Sequence, residues 1–134
     1  MGEHSILVVD DDEDMARAVA DILATARCSC EIATTGEAAL TRCREREFDA
    51  VVSDVRMPDV DGADLVARVH AIQPDVPVIL ITARGTISDA VAAVKRGAFD
   101  YLTKPCEAQA LRRVVEHAAA SRRRMRLSRT WRAS

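Results

Sequence analysis

The sequence predicts an α/β fold, a doubly wound sheet of five parallel strands joined by right-handed crossovers. Three observations lead there. Five short apolar runs alternate along the chain with five segments whose apolar residues follow the 3.6-residue helical period. Three of those runs stop at a residue able to do chemistry, Asp10, Asp54 or Thr82, and the fifth is followed by Lys104. At 134 residues the chain has the size of one domain, long enough to bury roughly two-thirds of its unfolded surface in a single core.

The first strand is residues 5 to 9, SILVV, which runs into three consecutive carboxylates, Asp10, Asp11 and Asp12. Met15, Val19, Ile22, Leu23 and Ala26 then mark one side of a helix, with Asp12 or Glu13 at its start, where acidic side chains meet free backbone N–H groups. A weak strand follows around Cys30 to Thr34. Thr34-Thr35-Gly36-Glu37 opens a second helix with Ala38, Ala39, Leu40 and Cys43 on its apolar side and a charged far end, Arg42 to Glu47.

Phe48-Asp49 leads into the central strand, residues 50 to 54, with Pro58 and Gly62 in the turn beyond. A third helix carries Leu65, Val66, Val69 and Ile72 and stops at Gln73 before Pro74. Val78 to Thr82 is the most hydrophobic run and the strand best suited to burial on both faces. Its exit loop is Thr82 to Gly85. The fourth helix, about Thr86 to Arg96, has Ile87, Ala90, Val91 and Val94 on one side and Gly97 as its stop. Phe99 to Thr103 is the fifth strand, closed by Lys104-Pro105, and the last helix runs from Glu107 to about Arg124 through Leu111, Val114, Val115 and Ala118.

Composition excludes several classes. Apolar residues at 49% and charged residues at 30% describe a globular chain rather than a disordered one. No run approaches the roughly 18 apolar residues of a membrane span, and Met1 to Asp10 lack a signal-peptide pattern, so a cytoplasmic location is the default expectation. Cys28, Cys30, Cys43 and Cys106 stand at irregular spacings, far in sequence from His4, His70 and His117 apart from one C-x-C pair, which excludes zinc-type spacing and favours reduced, mostly buried thiols. The net charge of −2 hides an asymmetry: residues 112–134 hold eight Arg and one Glu, a balance of +7 that leaves −9 on the rest. Such a tail suits a nucleic-acid or membrane patch, but with Trp131 as its one aromatic and no DNA-binding pattern it reads better as a solvated helix end or linker.

Because parallel strands all point one way, their C-terminal ends share an edge, where open sheets bind ligands. That edge would gather Asp10, Asp11, Asp12, Asp54, Thr82 and Lys104. Each has an ordinary reading: an N-cap for Asp11 or Asp12, a turn cap for Asp54, a strand-end hydroxyl for Thr82, a solvated charge for Lys104. Together they make a different case. Two unit charges 4 Å apart repel by about 4 kcal/mol at an effective dielectric of 20, so clustered carboxylates call for a cation. Oxygen ligands with open water positions suit Mg²⁺, particularly beside a phosphoryl group. Asp54 is then placed as a nucleophile toward phosphorus, with Mg²⁺ and Lys104 countering the charge and Thr82 donating to an oxyanion.

ILVVDDDED, VVSDVRMPDVDG, ILITARG and AVAAVKRGAFDYLTKP, in that order across residues 5 to 120, resemble the receiver domain of two-component response regulators. Within that family, DVRMPDVDG and GAFDYLTKP look most like the receivers of enhancer-binding transcription activators. The resemblance implies a flavodoxin-like (βα)5 sheet of order 2-1-3-4-5 and phosphorylation by a sensor histidine kinase or phosphotransfer protein. It implies Asp54 as phosphoacceptor and Mg²⁺ held by Asp11, Asp54 and the Arg56 backbone carbonyl, with Asp10 acting through water. Thr82 and Lys104 are then the residues that contact the phosphoryl oxygens, and Tyr101 the aromatic that turns inward when Thr82 moves. Ala83 keeps the site open. Arg56 and Arg84, two residues beyond Asp54 and Thr82, are placed to shield the acyl phosphate from water. Cys106 departs from the Phe usual after Lys-Pro, which bears on how the last helix packs and on the dimer surface.

The expected role is a signalling switch rather than a metabolic enzyme, working through the face of the fourth helix, fifth strand and fifth helix, which also suits a homodimer. Residues 1–121 read as the receiver domain and 122–134 as a basic tail or linker, which fits a piece of a longer transcription regulator better than a stand-alone receiver. No direct contact with nucleic acid or membrane is expected of this domain. Three other readings fit less well. A Mg²⁺-dependent phosphohydrolase on a similar sheet needs its nucleophile after the first strand and a cap, and the loops here are short. A flavin or nucleotide binder needs Gly, Ser or Thr where Asp10 to Asp12 would repel a phosphate. A docking module that has lost phosphorylation would not keep Asp11, Asp54, Thr82 and Lys104 together.

Overall fold

The computed structural model describes residues 4–133, leaving aside the side chains of Arg84, Arg126 and residues 128–133, and so the expectations placed on Trp131 and on the Arg84 side chain lie outside the described residues. The elements are β1 (His4–Val9), α1 (Glu13–Ala24), β2 (Cys28–Ala33), α2 (Gly36–Glu45), β3 (Ala50–Asp54), α3 (Gly62–Ile72), β4 (Val78–Thr82), a 3-10 turn (Arg84–Thr86), α4 (Ile87–Lys95), β5 (Asp100–Thr103) and α5 (Ala108–Ala133). All strands are parallel in the order β2-β1-β3-β4-β5, the architecture and order expected.

The alternation of side chains along each strand builds two apolar layers. Leu7, Val9, Val51, Val78 and Leu80 face α2, α3 and α4, meeting Leu40, Leu65, Val66, Val69, Ala90 and Ala93. Ile6, Val8, Val52, Ile79 and Ile81 face α1 and α5, meeting Ala16, Val19, Leu23, Leu111, Val115 and Ala118. The three interior strands, β1, β3 and β4, are therefore covered on both faces, and their C-terminal ends emerge along a shared edge.

Several boundaries differ from the sequence reading. β2 begins two residues early because it pairs with the whole of β1, from His4 with Cys28 to Val9 with Ala33. Arg27, at φ 60°, turns the chain into it and accepts the His4 N–H at 3.0 Å. β5 starts at Asp100, Phe99 contributing only an N–H to Val78 O at 2.8 Å. α4 starts at Ile87 because residues 84–86 are wound as a 3-10 turn. α5 runs past Arg124 to Ala133, since no Gly or Pro interrupts it.

α5 is fixed to the body by Arg122. The residue is 4% exposed, and its guanidinium bonds Asp49 Oδ1 at 3.1 Å, with Glu47 at 3.6 Å, while Asp49 Oδ2 accepts the Ser5 N–H at 2.8 Å. Residue 122, assigned to the tail from sequence, is thus packed against the start of β1 and the α2–β3 loop. Removing it leaves a half-buried carboxylate short of its counter-charge. Arg122→Ala is expected to lower folding stability by about 3 kcal/mol, read as a fall in urea midpoint at unchanged slope; an unaltered midpoint would place the pair among solvent-screened ones.

The β2–α2 turn and the β3–α3 loop are joined by Asp59. Its carboxylate accepts from Gly36 N at 2.9 Å and Glu37 N at 3.1 Å, while Thr35 Oγ1 accepts from Ala38 N at 3.0 Å, so the first turn of α2 is capped from two directions. The loops meet closely enough that a Cβ on residue 36 would lie 2.0 Å from Val60 Cγ1. The two N–H groups hold the Asp59 carboxyl below its ordinary pKa. A depressed carboxyl contributes stability above its unfolded pKa and loses it as pH falls through the folded value. Asp59→Ala should therefore cost about 1 kcal/mol near neutrality and progressively less in acid, measured by urea melts across pH.

Candidate functional site

The strand register assembles the site. Val9 pairs with Ser53, so the next residues, Asp10 and Asp54, leave neighbouring strands side by side. Asp54 pairs with Ile81, placing Thr82 one residue farther along β4, and Thr82 pairs with Thr103, the residue before Lys104. The Lys104 N–H to Thr82 O bond, 2.7 Å, carries the ladder one step past β5.

Carboxylate oxygens of Asp10, Asp11 and Asp54 all lie within 4.8 Å of one another. Lys104 Nζ donates to Asp54 Oδ2 at 3.0 Å and stands 4.0 Å from Asp10 Oδ2. Asp10 is 6% exposed, its Oδ1 taken by the Asp12 N–H at 3.0 Å. Burial raises its pKa; the Asp12 N–H opposes this, and the charges of Asp54 and Asp11 add to the rise. For Lys104, burial works to lower the pKa, but its bond to Asp54 and the charge of Asp10 outweigh that and hold it above its ordinary value. Asp12 is not part of the cluster: its side chain accepts the Met15 N–H at 3.2 Å as the cap of α1, one of the two roles open from sequence.

Three carboxylates against one ammonium leave the site under-neutralised, and the donors are hard oxygens with solvent access at Asp11. This set fits Mg²⁺, for which Asp10, Asp11 and Asp54 are the available side-chain donors. The Arg56 N–H bonds Asp54 Oδ1 at 3.0 Å, and the Arg56–Asp61 bridge closes the 55–62 turn. Gly62 is needed there, since a Cβ would come within 2.9 Å of the Val55 carbonyl oxygen.

Thr82 is fully buried, and its hydroxyl bonds Thr86 Oγ1 and lies 3.1 Å from Ala83 O rather than reaching Asp54. The Arg56 guanidinium, expected over the acceptor, instead bonds Asp89 Oδ2 at 3.0 Å. Tyr101 is half-buried, its ring against the layer beneath α2 to α4. Thr86 and Asp89 were not picked out from sequence. Thr86 belonged to no motif, and an acidic residue in the first turn of a helix is already accounted for by the helix dipole.

The model of the response regulator receiver domain matches residues 6–116. The chain belongs to the response regulator receiver family. It is 42% identical over 125 residues to the DNA-binding transcriptional regulator NtrC of Azospirillum brasilense, covering 90% of this chain and 25% of that protein. It is 38% identical over 113 residues to the transcriptional regulatory protein GlrR of Escherichia coli K12, covering 84% and 26%. Among solved structures, NtrX from Brucella abortus in complex with ADP superposes with a TM-score of 0.88 at 32% identity, over 94% of this chain and 29% of that one. The receiver thus spans about a quarter of the length of these regulators, which are of the enhancer-binding NtrC, ZraR and GlrR type. Receivers are signalling switches that interact with kinases and generally use Mg²⁺, in keeping with the acidic cluster. No helix among the described residues is long and apolar enough to cross a membrane.

The raised pKa of Asp10 has a measurable consequence in the metal-free receiver. A carboxyl with a raised folded pKa contributes most to stability below its unfolded pKa, and that contribution is lost as pH rises through the folded value. In EDTA, Asp10→Asn should stabilise the protein by about 1 kcal/mol at neutral pH, and the gain should be smaller at about pH 4, nearer the ordinary carboxylate range. Thermal melts of both proteins at the two pH values check this, and destabilisation at neutral pH would contradict it.

Proposed function

We propose that Asp54 accepts a phosphoryl group from a sensor histidine kinase or phosphotransfer protein, and that the acyl phosphate switches the surface formed by α4, β5 and α5. The observation that carries this reading is Lys104 Nζ at 3.0 Å from Asp54 with Asp10 and Asp11 alongside, a carboxylate held between a fixed cation and a vacant-charge acidic pair. In the transfer, an Asp54 oxygen attacks phosphorus in line with the phosphohistidine nitrogen. The O–P bond forms as the N–P bond breaks, and the imidazole keeps the electron pair and takes up a proton.

Asp11, Asp54 and the Arg56 backbone carbonyl, with Asp10 through water, would hold Mg²⁺, which would supply positive charge to the phosphoryl oxygens. Lys104 supplies the second positive charge and orients Asp54. The Thr82 hydroxyl donates to a phosphoryl oxygen, and Tyr101 turns inward as Thr82 leaves its resting partners. Ala83, small and exposed, leaves room above the phosphorus. Turnover is a signal: the receiver catalyses its own phosphorylation and slow dephosphorylation.

The same reading makes the chain the cytoplasmic receiver of a longer transcription regulator, residues 1–121 forming the domain and 122–134 a basic linker that starts from the anchored Arg122. A homodimer through α4, β5 and α5 carries the signal onward, and contact with DNA falls to another part of the regulator. Incubation with Mg²⁺ and acetyl phosphate should add about 80 Da by intact mass, with no adduct in Asp54→Ala and a change in sedimentation on phosphorylation. Mg²⁺ at 100 times its Kd should also raise folding stability by about 2.7 kcal/mol. A wild-type protein that takes up no phosphoryl group under these conditions would remove the reading.

A further inference from the structure

α4 is held to the site by two side-chain contacts. At its N-cap, the last residue of the 3-10 turn, Thr86 Oγ1 bonds Thr82 Oγ1 and donates to Ala83 O at 2.9 Å. Half a turn into the helix, Asp89 Oδ2 accepts from Arg56 Nη2 at 3.0 Å. On the site side, both contacts end on residues adjoining Asp54: Arg56 gives its N–H to the Asp54 carboxylate, and Thr82 lies one step beyond Asp54's partner Ile81.

We propose that Thr86 and Asp89 are positioning residues that act as paired catches on α4 and set how readily this receiver responds to phosphoryl binding. The inference rests on the phosphoacceptor role of Asp54. Proton inventory gives the first catch its exclusivity. A threonine hydroxyl has one proton to donate. In the resting structure the Thr82 proton has Thr86 Oγ1 and Ala83 O as its acceptors, and the Thr86 proton has Ala83 O and Thr82 Oγ1. Thr82 can donate to a phosphoryl oxygen only by withdrawing that proton from the Thr86–Ala83 turn.

The second catch follows from charge. Arg56 and Asp89 have side chains 68% and 52% exposed, so their pair contributes little to folding and is easily exchanged. A phosphoryl group two residues from Arg56 offers more negative charge than one Asp89 carboxylate. A guanidinium drawn to it leaves Asp89, and α4 loses its second tie. The groove between the β3–α3 loop and α4, lined by Val55, Arg56, Met57, Asp89, Ala92 and Arg96, gives the helix space in which to shift.

Linkage fixes the sign. Contacts present only in the resting state oppose phosphoryl binding, so removing them must strengthen it. Thr86→Val and Asp89→Ala are each expected to raise beryllofluoride affinity in saturating Mg²⁺ by about threefold, and the double variant by about tenfold. Thr86→Ser, which keeps the hydroxyl, should restore the wild-type value. Without beryllofluoride, the backbone amides of residues 87–95 should exchange faster in both variants, while those of α1 remain unchanged.

A purely structural role predicts the opposite sign, since a loosened fold binds more weakly. Unchanged or weaker affinity in both variants, with the wild type binding normally, overturns the catches. Failure of the wild type to bind beryllofluoride, or equal binding by Asp54→Ala, instead overturns the phosphoacceptor reading beneath them.

Discussion

The Lys104 ammonium is what allows three carboxylates to share the open edge of the sheet. Placed 3.0 Å from Asp54 and 4.0 Å from Asp10, it offsets part of a repulsion that is otherwise unfavourable in a half-buried setting. Its position depends on β5 lying in register with β4, Thr82 against Thr103, with the Lys104 N–H still bonded to Thr82 O. One ammonium against three carboxylates also leaves negative charge over. The resting electrostatics are therefore incomplete, and a divalent cation would offset the charge left over.

The opposite end of the sheet has a different arrangement. There Arg122 is buried and matched by Asp49, which is itself bonded to the first residues of β1. This ties the middle of α5 to the N-terminal ends of the strands, while the start of α5 follows the Lys104 loop. The helix that leaves the domain is thus referenced to both ends of the same rigid layer. The anchored Arg122 fixes the direction of α5 against the body of the sheet. Dense packing in the two apolar layers supports this, since close-packed interiors transmit displacement rather than absorb it.

Much of this was legible in the sequence because the signals are local. The short apolar runs and the period-3.6 patterns between them gave five strands and five helices, and the parallel topology alone was enough to bring Asp10, Asp54, Thr82 and Lys104 to one edge. What escaped were features set by tertiary pairing. β2 looked weak because Ser29 and Glu31 break its apolar run, yet full pairing with β1 extends it to Cys28. Arg122 read as tail because a charged residue after an apolar stripe usually faces water; its partner lies 73 residues away, beyond the reach of any spacing rule. Asp59, which caps a helix 23 residues earlier in the chain, was hidden for the same reason.

The side-chain partners of Thr82 and Arg56 were the least legible of all, and they decide how chemistry becomes movement. Phosphorylation by itself only adds charge, and charge added to a site free of prior commitments would leave the surrounding helices where they were. Here the Thr82 hydroxyl and the Arg56 guanidinium are already committed, to Thr86 at the entrance of α4 and to Asp89 within it. The hydroxyl has one proton to give, and the guanidinium is drawn toward the stronger negative charge. Competition for those two donors converts a change in charge at Asp54 into a change in what holds α4, and the surface that α4 shares with β5 and α5 is where that change can be read.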